Sequence, residues 1–351
     1  MKQIGAKSLS ITSFFTLLVL SVSTMTLTAK QMVEAPTPTL APSVTEEYRE
    51  IAHIYPSPES DIGWIGWSAW SPDGTRLAVV AFPAVHIFNT NTWKNELTIP
   101  EASVSEIAWS PDGTQIAGVA GGDVESLYIW DSDTGDLLKH LTRPYDGPRS
   151  SMVTIFRLSW SPDGERIASD SWNLDVLIWD LRSDEVYVLG HHNPTGVGEI
   201  DWSPDAKQVV SGGGDNTIRV WNVATRENTV TVEGGAIVDW HPSTSKIVGI
   251  GPNGSVTVWD SNSGQELLTL KHGSTTPAVR WNFDGSMIAT GGLDGTIKVW
   301  DGNTGELIAT IDENAGLITS LCWHPNQNLL ASTSYDGDLR VWQINNDAGG
   351  S

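Results

Sequence analysis

An all-β fold of seven similar four-stranded units is what this sequence predicts, and three observations predict it. The 351 residues include 17 tryptophans, and thirteen of them fall on two marks that recur in a fixed order. The stretches between the marks alternate apolar and polar side chains with period 2, as half-buried strands do. The segments separating those stretches carry the Pro, Asp, Asn and Gly of tight turns.

The first mark is the string Trp-Ser-Pro-Asp-Gly, which starts at Trp70, Trp109 and Trp160, with weaker copies at Trp202, Trp240, Trp281 and Trp323. These seven starts lie 39, 51, 42, 38, 41 and 42 residues apart. The second mark follows 18 to 21 residues later, at Phe88, Trp130, Trp179, Trp221, Trp259, Trp300 and Trp342. Runs such as Ile218-Arg219-Val220-Trp221 and Ile297-Lys298-Val299-Trp300 read as strands ending in the second mark. Pro-Asp-Gly is a turn, because Pro presets φ and Gly accepts a positive φ. A unit of about 40 residues cannot bury both faces of its sheet alone, so the seven must stack. The nine residues after Trp342 are too few and too polar for another strand. The last unit therefore lacks its outer strand, and Tyr48–Tyr55 is expected to supply it, closing a ring that leaves no open ladder edge.

From Glu46 to Gln343 the sequence resembles the WD-repeat β-propellers, and within them a secreted or membrane-anchored, bacterial-type protein. The resemblance implies a seven-bladed β-propeller of four-stranded antiparallel blades. It also implies a tetrad in each blade: a His before the first strand, Ser or Thr in the second, Asp in the next turn, and the closing Trp. The sixth repeat matches throughout, with His272, Thr290, Asp294 and Trp300. The fourth offers His191 or His192 with Ser211, Asp215 and Trp221, and the seventh Ser332, Asp336 and Trp342, with Asn314 at the His position. The third keeps Ser169 and Trp179, with Asn173 in place of Asp, while repeats one, two and five lack most of the set.

The N-terminus reads as a targeting segment. Lys2 and Lys7 precede an uncharged run from Ser8 to Ala29 with an apolar centre at Ile11–Val22. A basic start and an apolar stretch of about a dozen residues fit a secretory signal. The 22 uncharged residues are also enough to serve as an uncleaved anchor. Either places the remainder outside the cytoplasm. Residues 30–45, with Pro36, Pro38 and Pro42, form a stiff linker. Residues 344–351 form a flexible tail. The formal charge of −22 argues against nucleic acid, whose phosphates require clustered cations. A single Cys excludes an intramolecular disulfide and a Cys-based zinc cluster.

No constellation points to catalysis, and no cofactor or metal is expected. Gly249-Ile250-Gly251-Pro252-Asn253-Gly254 spells a dinucleotide fingerprint but precedes a strand rather than a helix. Ser243-Thr244-Ser245-Lys246 falls in a turn, and Asp131-Ser132-Asp133 lacks a Glu at the twelfth position of a calcium loop. Cys322, beside Trp323, reads as a buried thiol.

The expected function is a non-enzymatic, monomeric scaffold that binds a protein partner on the top face. In the resembling family that face carries the loops before the first strand and between the second and third strands. The 51-residue spacing marks an insertion holding Arg143, Tyr145 and Arg149, which should neighbour Trp172 in the next top loop. These four are the sharpest candidates, followed by Trp64, Trp67 and Tyr335, because exposed aromatics and Arg dominate binding hot spots. The rival readings are a carbohydrate- or small-ligand-binding propeller and an accessory propeller of an envelope complex.

Overall fold

The computed structural model describes residues 47–55, 65–100, 104–120, 125–143, 157–171, 174–192, 196–312 and 316–345. The expected signal or anchor segment and the expected linker lie outside these residues, as do Trp64, Tyr145, Arg149, Trp172, Asn173 and Asn314. Among the described residues no helix is long and apolar enough to cross a membrane.

Seven four-stranded antiparallel sheets are formed, one per repeat. Their innermost strands are Ile65–Trp70, Glu106–Trp109, Leu158–Trp160, Val197–Trp202, Val238–Trp240, Ala278–Trp281 and Ile318–Trp323. Each ends on its first-mark Trp. In six of the blades the sheet order is sequential; in the seventh, the outermost position is held by Tyr48–Ile54, paired antiparallel with Leu339–Ile344. Tyr48 faces Ile344 and Ile54 faces Leu339. The ring thus closes as the sequence requires, except that the last strand runs through Ile344 rather than stopping at Gln343.

The core is divided among the joints between blades. Each of seven apolar clusters joins two neighbouring sheets. One of them packs Ile54, Leu329 and Val341 of blade seven against Ile65, Leu77 and Phe88 of blade one. The inner indoles tie the same joints: Trp109 Nε1 donates to Ala69 O (3.0 Å), Trp202 Nε1 to Ser159 O (3.0 Å) and Trp70 Nε1 to Cys322 O (3.2 Å). A buried indole N–H without an acceptor is costly, so these bonds fix blades one, two and four against the blade before each; Trp240 Nε1 instead donates to Thr244 O of its own turn, and Trp160 Nε1 and Trp281 Nε1 find no acceptor.

The Trp-Ser-Pro-Asp-Gly turns are built alike. Ser71 Oγ donates to Asp73 Oδ1 and accepts from Arg76 N, and Gly74 takes φ +75°. Where Ser becomes His, the ring reaches the next blade: His324 lies against Gly74, its Nε2 3.2 Å from the Gly74 carbonyl, and His241 lies against Gly285. A methyl on Gly74 would fall 2.2 Å from the His324 ring. Gly74→Ala is therefore expected to lower stability by about 2 kcal/mol, from left-handed backbone strain plus displacement of the imidazole. A thermal midpoint equal to wild type would refute this packing.

The dinucleotide-like string forms a hairpin within the sheet of blade five: strand Lys246–Ile250, a one-turn 3-10 segment Pro252–Gly254, then strand Val256–Asp260. It opens no helix that could receive a pyrophosphate.

Candidate functional site

The blade tetrads resemble catalytic groups. In blade four His192, rather than His191, takes the position. His192 Nδ1 is 3.0 Å from Asp215 Oδ1, His192 Nε2 is 2.8 Å from Ser211 Oγ, and Trp221 Nε1 donates to Ser211 Oγ at 2.7 Å. Burial works against the Asp215 charge, but hydrogen bonds from Thr217 and His192 outweigh it and hold the carboxyl below its usual range. Burial lowers the His192 pKa against the pull of Asp215. A neutral imidazole beside an ionised carboxylate must carry its proton on Nδ1. Nε2 then accepts from the Ser211 hydroxyl, which in turn accepts from the indole. Blade six has the same logic: His272 Nδ1 lies 2.8 Å from Thr290 Oγ1, which accepts from Trp300 Nε1 at 2.8 Å. Asp294 stands 3.8 Å from His272 Nε2. In blades seven and three Trp342 donates to Ser332 and Trp179 to Ser169. In blade seven Asp336 accepts from Ser334.

The top face follows from the meander. Connections from second to third strand, and from outer strand to the next inner strand, leave one end of every sheet. Arg143 ends the outer strand of blade two, with Nη1 3.2 Å from Glu125 Oε2 and Nη2 3.2 Å from Asp175 Oδ2. It thereby draws together strand ends of blades two and three, but its guanidinium is occupied by two carboxylates. Trp67 does not reach the surface. The strand begins at Ile65, so the pleat turns Trp67 inward, where it is 8% exposed and lies in the cluster joining blades one and two. Arg157 sits 4.6 Å from its ring centroid. Tyr335 is exposed and its backbone N–H is held by Leu317 O. It has company: Leu293 of blade six and Phe82 of blade one occupy the same loop station and are exposed too. Tyr55, at the same end of the outer strand of blade seven, is also exposed. His53 fixes this end through Asp338 at 2.7 Å.

The central channel is a cavity of about 340 Å³ lined by the inner strands of all seven blades. Its wall carries four carboxylates, Glu106, Glu199, Asp201 and Asp239, and two guanidiniums, Arg157 and Arg280. Glu199 grips Arg280 with both oxygens, at 2.5 and 3.0 Å. Burial opposes the Arg280 charge, but Glu199 outweighs it and raises the pKa. Arg157 lies 3.5 Å from Glu106. Burial still pushes Glu106 up to about 8 against that neighbour. Burial likewise raises Cys322 to about 11, which keeps it a thiol.

Four segments of the chain, residues 139–180, 183–222, 264–301 and 305–343, match the family model described as WD domain, G-beta repeat. Each segment takes in the outer strand of one blade and ends at the closing mark of the next, so the matches fall on blades three, four, six and seven. Those are the blades whose closing Trp donates to a Ser or Thr hydroxyl. The ring is a seven-bladed β-propeller, four of whose blades match the WD repeat. No curated protein matches the sequence.

Propellers with WD repeats are commonly protein-interaction scaffolds. Ser211, His192 and Asp215 have the connectivity of a hydrolytic triad, yet Ser211 and His192 are wholly buried. The Ser211 hydroxyl also accepts from an indole. A substrate carbonyl has no path to it, so the set braces the WD-repeat blade. Among the described residues no group of three or more His, Cys, Asp and Glu could hold a metal. Sequence reasoning misses the channel charges, although a signal is available. Asp201, Asp239 and Arg280 stand directly before an inner Trp, while Glu106, Arg157 and Glu199 stand two positions earlier still.

Proposed function

We propose that this WD-repeat propeller is a non-enzymatic scaffold, exported by its N-terminal segment, that binds a protein partner on the top face. The observation that carries the binding site is the presence of exposed apolar side chains at one loop station of three consecutive blades: Leu293, Tyr335 and Phe82. The matching station holds Gly214-Asp215-Asn216 in blade four and Gly251-Pro252-Asn253-Gly254 in blade five. An apolar arc on one side of a rigid face is the pattern of an interface core with a polar rim. Tyr55 extends the arc outward. Arg143 and four residues outside the described ones, Trp64, Tyr145, Arg149 and Trp172, are the further contacts proposed for the partner. Export rests on Lys2, Lys7 and the uncharged run Ser8–Ala29.

Cross-linking on intact cells, followed by affinity capture, tests both parts. Phe82→Ser, Leu293→Ser and Tyr335→Ser together are expected to abolish capture of proteins held by the wild type, with an unchanged thermal midpoint. Equal capture by the triple variant refutes the site. Recovery of the protein from the cytoplasm alone refutes export.

A further inference from the structure

We infer that His241 and His324 are pH-sensitive clasps across the joints between blades five and six and between blades seven and one, and that acid opens them. Both stand directly after the inner Trp, where blades one to four carry Ser71, Ser110, Ser161 and Ser203 and blade six carries Asn282. At those five stations the side chain braces its own turn by accepting the backbone N–H five residues on, as Ser110 Oγ does from Gln115 N at 3.0 Å and Asn282 Oδ1 from Met287 N at 2.8 Å. The two imidazoles cross the joint instead. His324 Nδ1 accepts from Asn326 N at 3.2 Å, and its Nε2 lies 3.2 Å from Gly74 O of blade one, which also accepts from the Thr90 hydroxyl. His241 Nδ1 accepts from Ser243 N at 3.1 Å, and its Nε2 edge lies against Gly285 of blade six, where an added Cβ would fall 2.0 Å away.

With Nδ1 accepting, each ring is neutral and carries its proton on Nε2, which in His324 is aimed at the Gly74 carbonyl. A second proton has one place to go, Nδ1, where it points at the N–H of Asn326 or Ser243. That protonation forfeits a buried hydrogen bond and sets two donors against each other. The surroundings do not compensate. Burial lowers the His324 pKa against the Gly74 carbonyl and Asp73 of blade one. Burial and Lys246 of its own blade lower His241 against Gly285 and Asp284 of blade six. The uncharged indoles of Trp70 and Trp281 pack on the two rings, each 4.7 Å away. A histidine whose folded pKa is depressed imposes no cost above the unfolded value near about 6.5. Below it, opening takes up a proton and is favoured by up to about tenfold per pH unit for each ring.

Two other joints are held at the same end of the ring by groups that do not titrate in this range. Arg76 of blade one donates to Ser132 O of blade two at 2.9 Å, and Arg166 of blade three donates to Ala206 O of blade four at 3.0 Å. A guanidinium keeps its charge throughout. Blades six and seven lie between the two clasped joints, and one apolar cluster running from Met287 to Trp342 joins them to each other. Acid therefore loosens them as a pair. They carry Leu293 and Tyr335, so partner binding would weaken with pH; that consequence rests on the top-face reading, whereas the clasps do not.

Hydrogen–deuterium exchange of the full chain at about pH 7.5 and about pH 5.5, corrected for the intrinsic rate at each pH, tests the inference. The amides of Gly74, Gly113, Ala206 and Gly285 close equivalent turns by donating to Ser71, Ser110, Ser203 and Asn282. Protection of Gly74 and Gly285 is expected to fall about tenfold at the lower pH, with Gly113 and Ala206 unchanged. His241→Asn with His324→Asn puts at both stations the residue that blade six uses, and should remove the loss. His192 and His272, which bond to Ser211 and Thr290 at the top face, are untouched by that variant. Equal loss at all four turns, no loss at Gly74 and Gly285, or the same loss in the double variant overturns the inference. So does equal loosening of the joint that Asp201 holds through Trp240 N, since carboxylates would then be the acid sensor. The comparison among turns decides the matter on the wild type even if the double variant does not fold. No partner is needed at any step, so the outcome is independent of whether the top face binds one.

Discussion

Arg280→Met is expected to destabilise the propeller by about 3–5 kcal/mol, and adding Glu199→Leu to restore most of that loss. Glu199 and Arg280 come from inner strands two blades apart and meet in the channel, where Glu199 is 4% exposed. Removing the guanidinium leaves Glu199 buried without a counter-charge. It also leaves Asp201, Asp239 and Glu106 opposed by Arg157 alone. Removing both members of the pair takes away the buried charge together with its partner, so the desolvation cost disappears as well. A double-mutant cycle read by thermal midpoints would give the coupling directly. A single variant within about 0.5 kcal/mol of wild type would mean that the channel solvates Glu199 as water does, contrary to its burial.

How far the sequence can be read depends on what each strand faces. The inner and closing marks are readable because large indoles at fixed stations have one packing solution, the joint between blades. Ring closure is readable for a related reason: a blade with three strands demands a fourth, and Tyr48–Ile54 has the right alternation. The choice between His191 and His192 is not fixed by spacing. The strand end settles it: the outer strand stops at His191, and His192, the first residue beyond it, is the one that turns toward Ser211. Trp67 misleads because its proximity to a loop suggests exposure whereas its strand has already begun at Ile65. The channel escapes a sequence reading on physical grounds. Polar residues alternating along a strand ordinarily mark a solvated face. An innermost strand in a closed ring has no such face, so Glu199, Asp201 and Arg280 meet one another instead of bulk water.

Ser211→Ala is expected to cost about 3 kcal/mol, although it deletes one atom that no ligand touches. The Ser211 hydroxyl accepts from Trp221 Nε1 and serves His192 Nε2, so its loss orphans two buried groups at once. Each unsatisfied buried polar group costs about 1–3 kcal/mol. His192 cannot escape by ionising cheaply, because burial already lowers its pKa. Asp215 is tied elsewhere, to Thr217 and Arg219, and cannot follow the ring. Ser261→Ala provides the contrast: Ser261 is equally buried, but its hydroxyl has no partner, so that variant should be neutral or slightly stabilising. Equilibrium unfolding of the two variants side by side separates a hydroxyl that satisfies a network from one that is merely enclosed. Equal stabilities would mean that the indole and imidazole of blade four do not depend on Ser211.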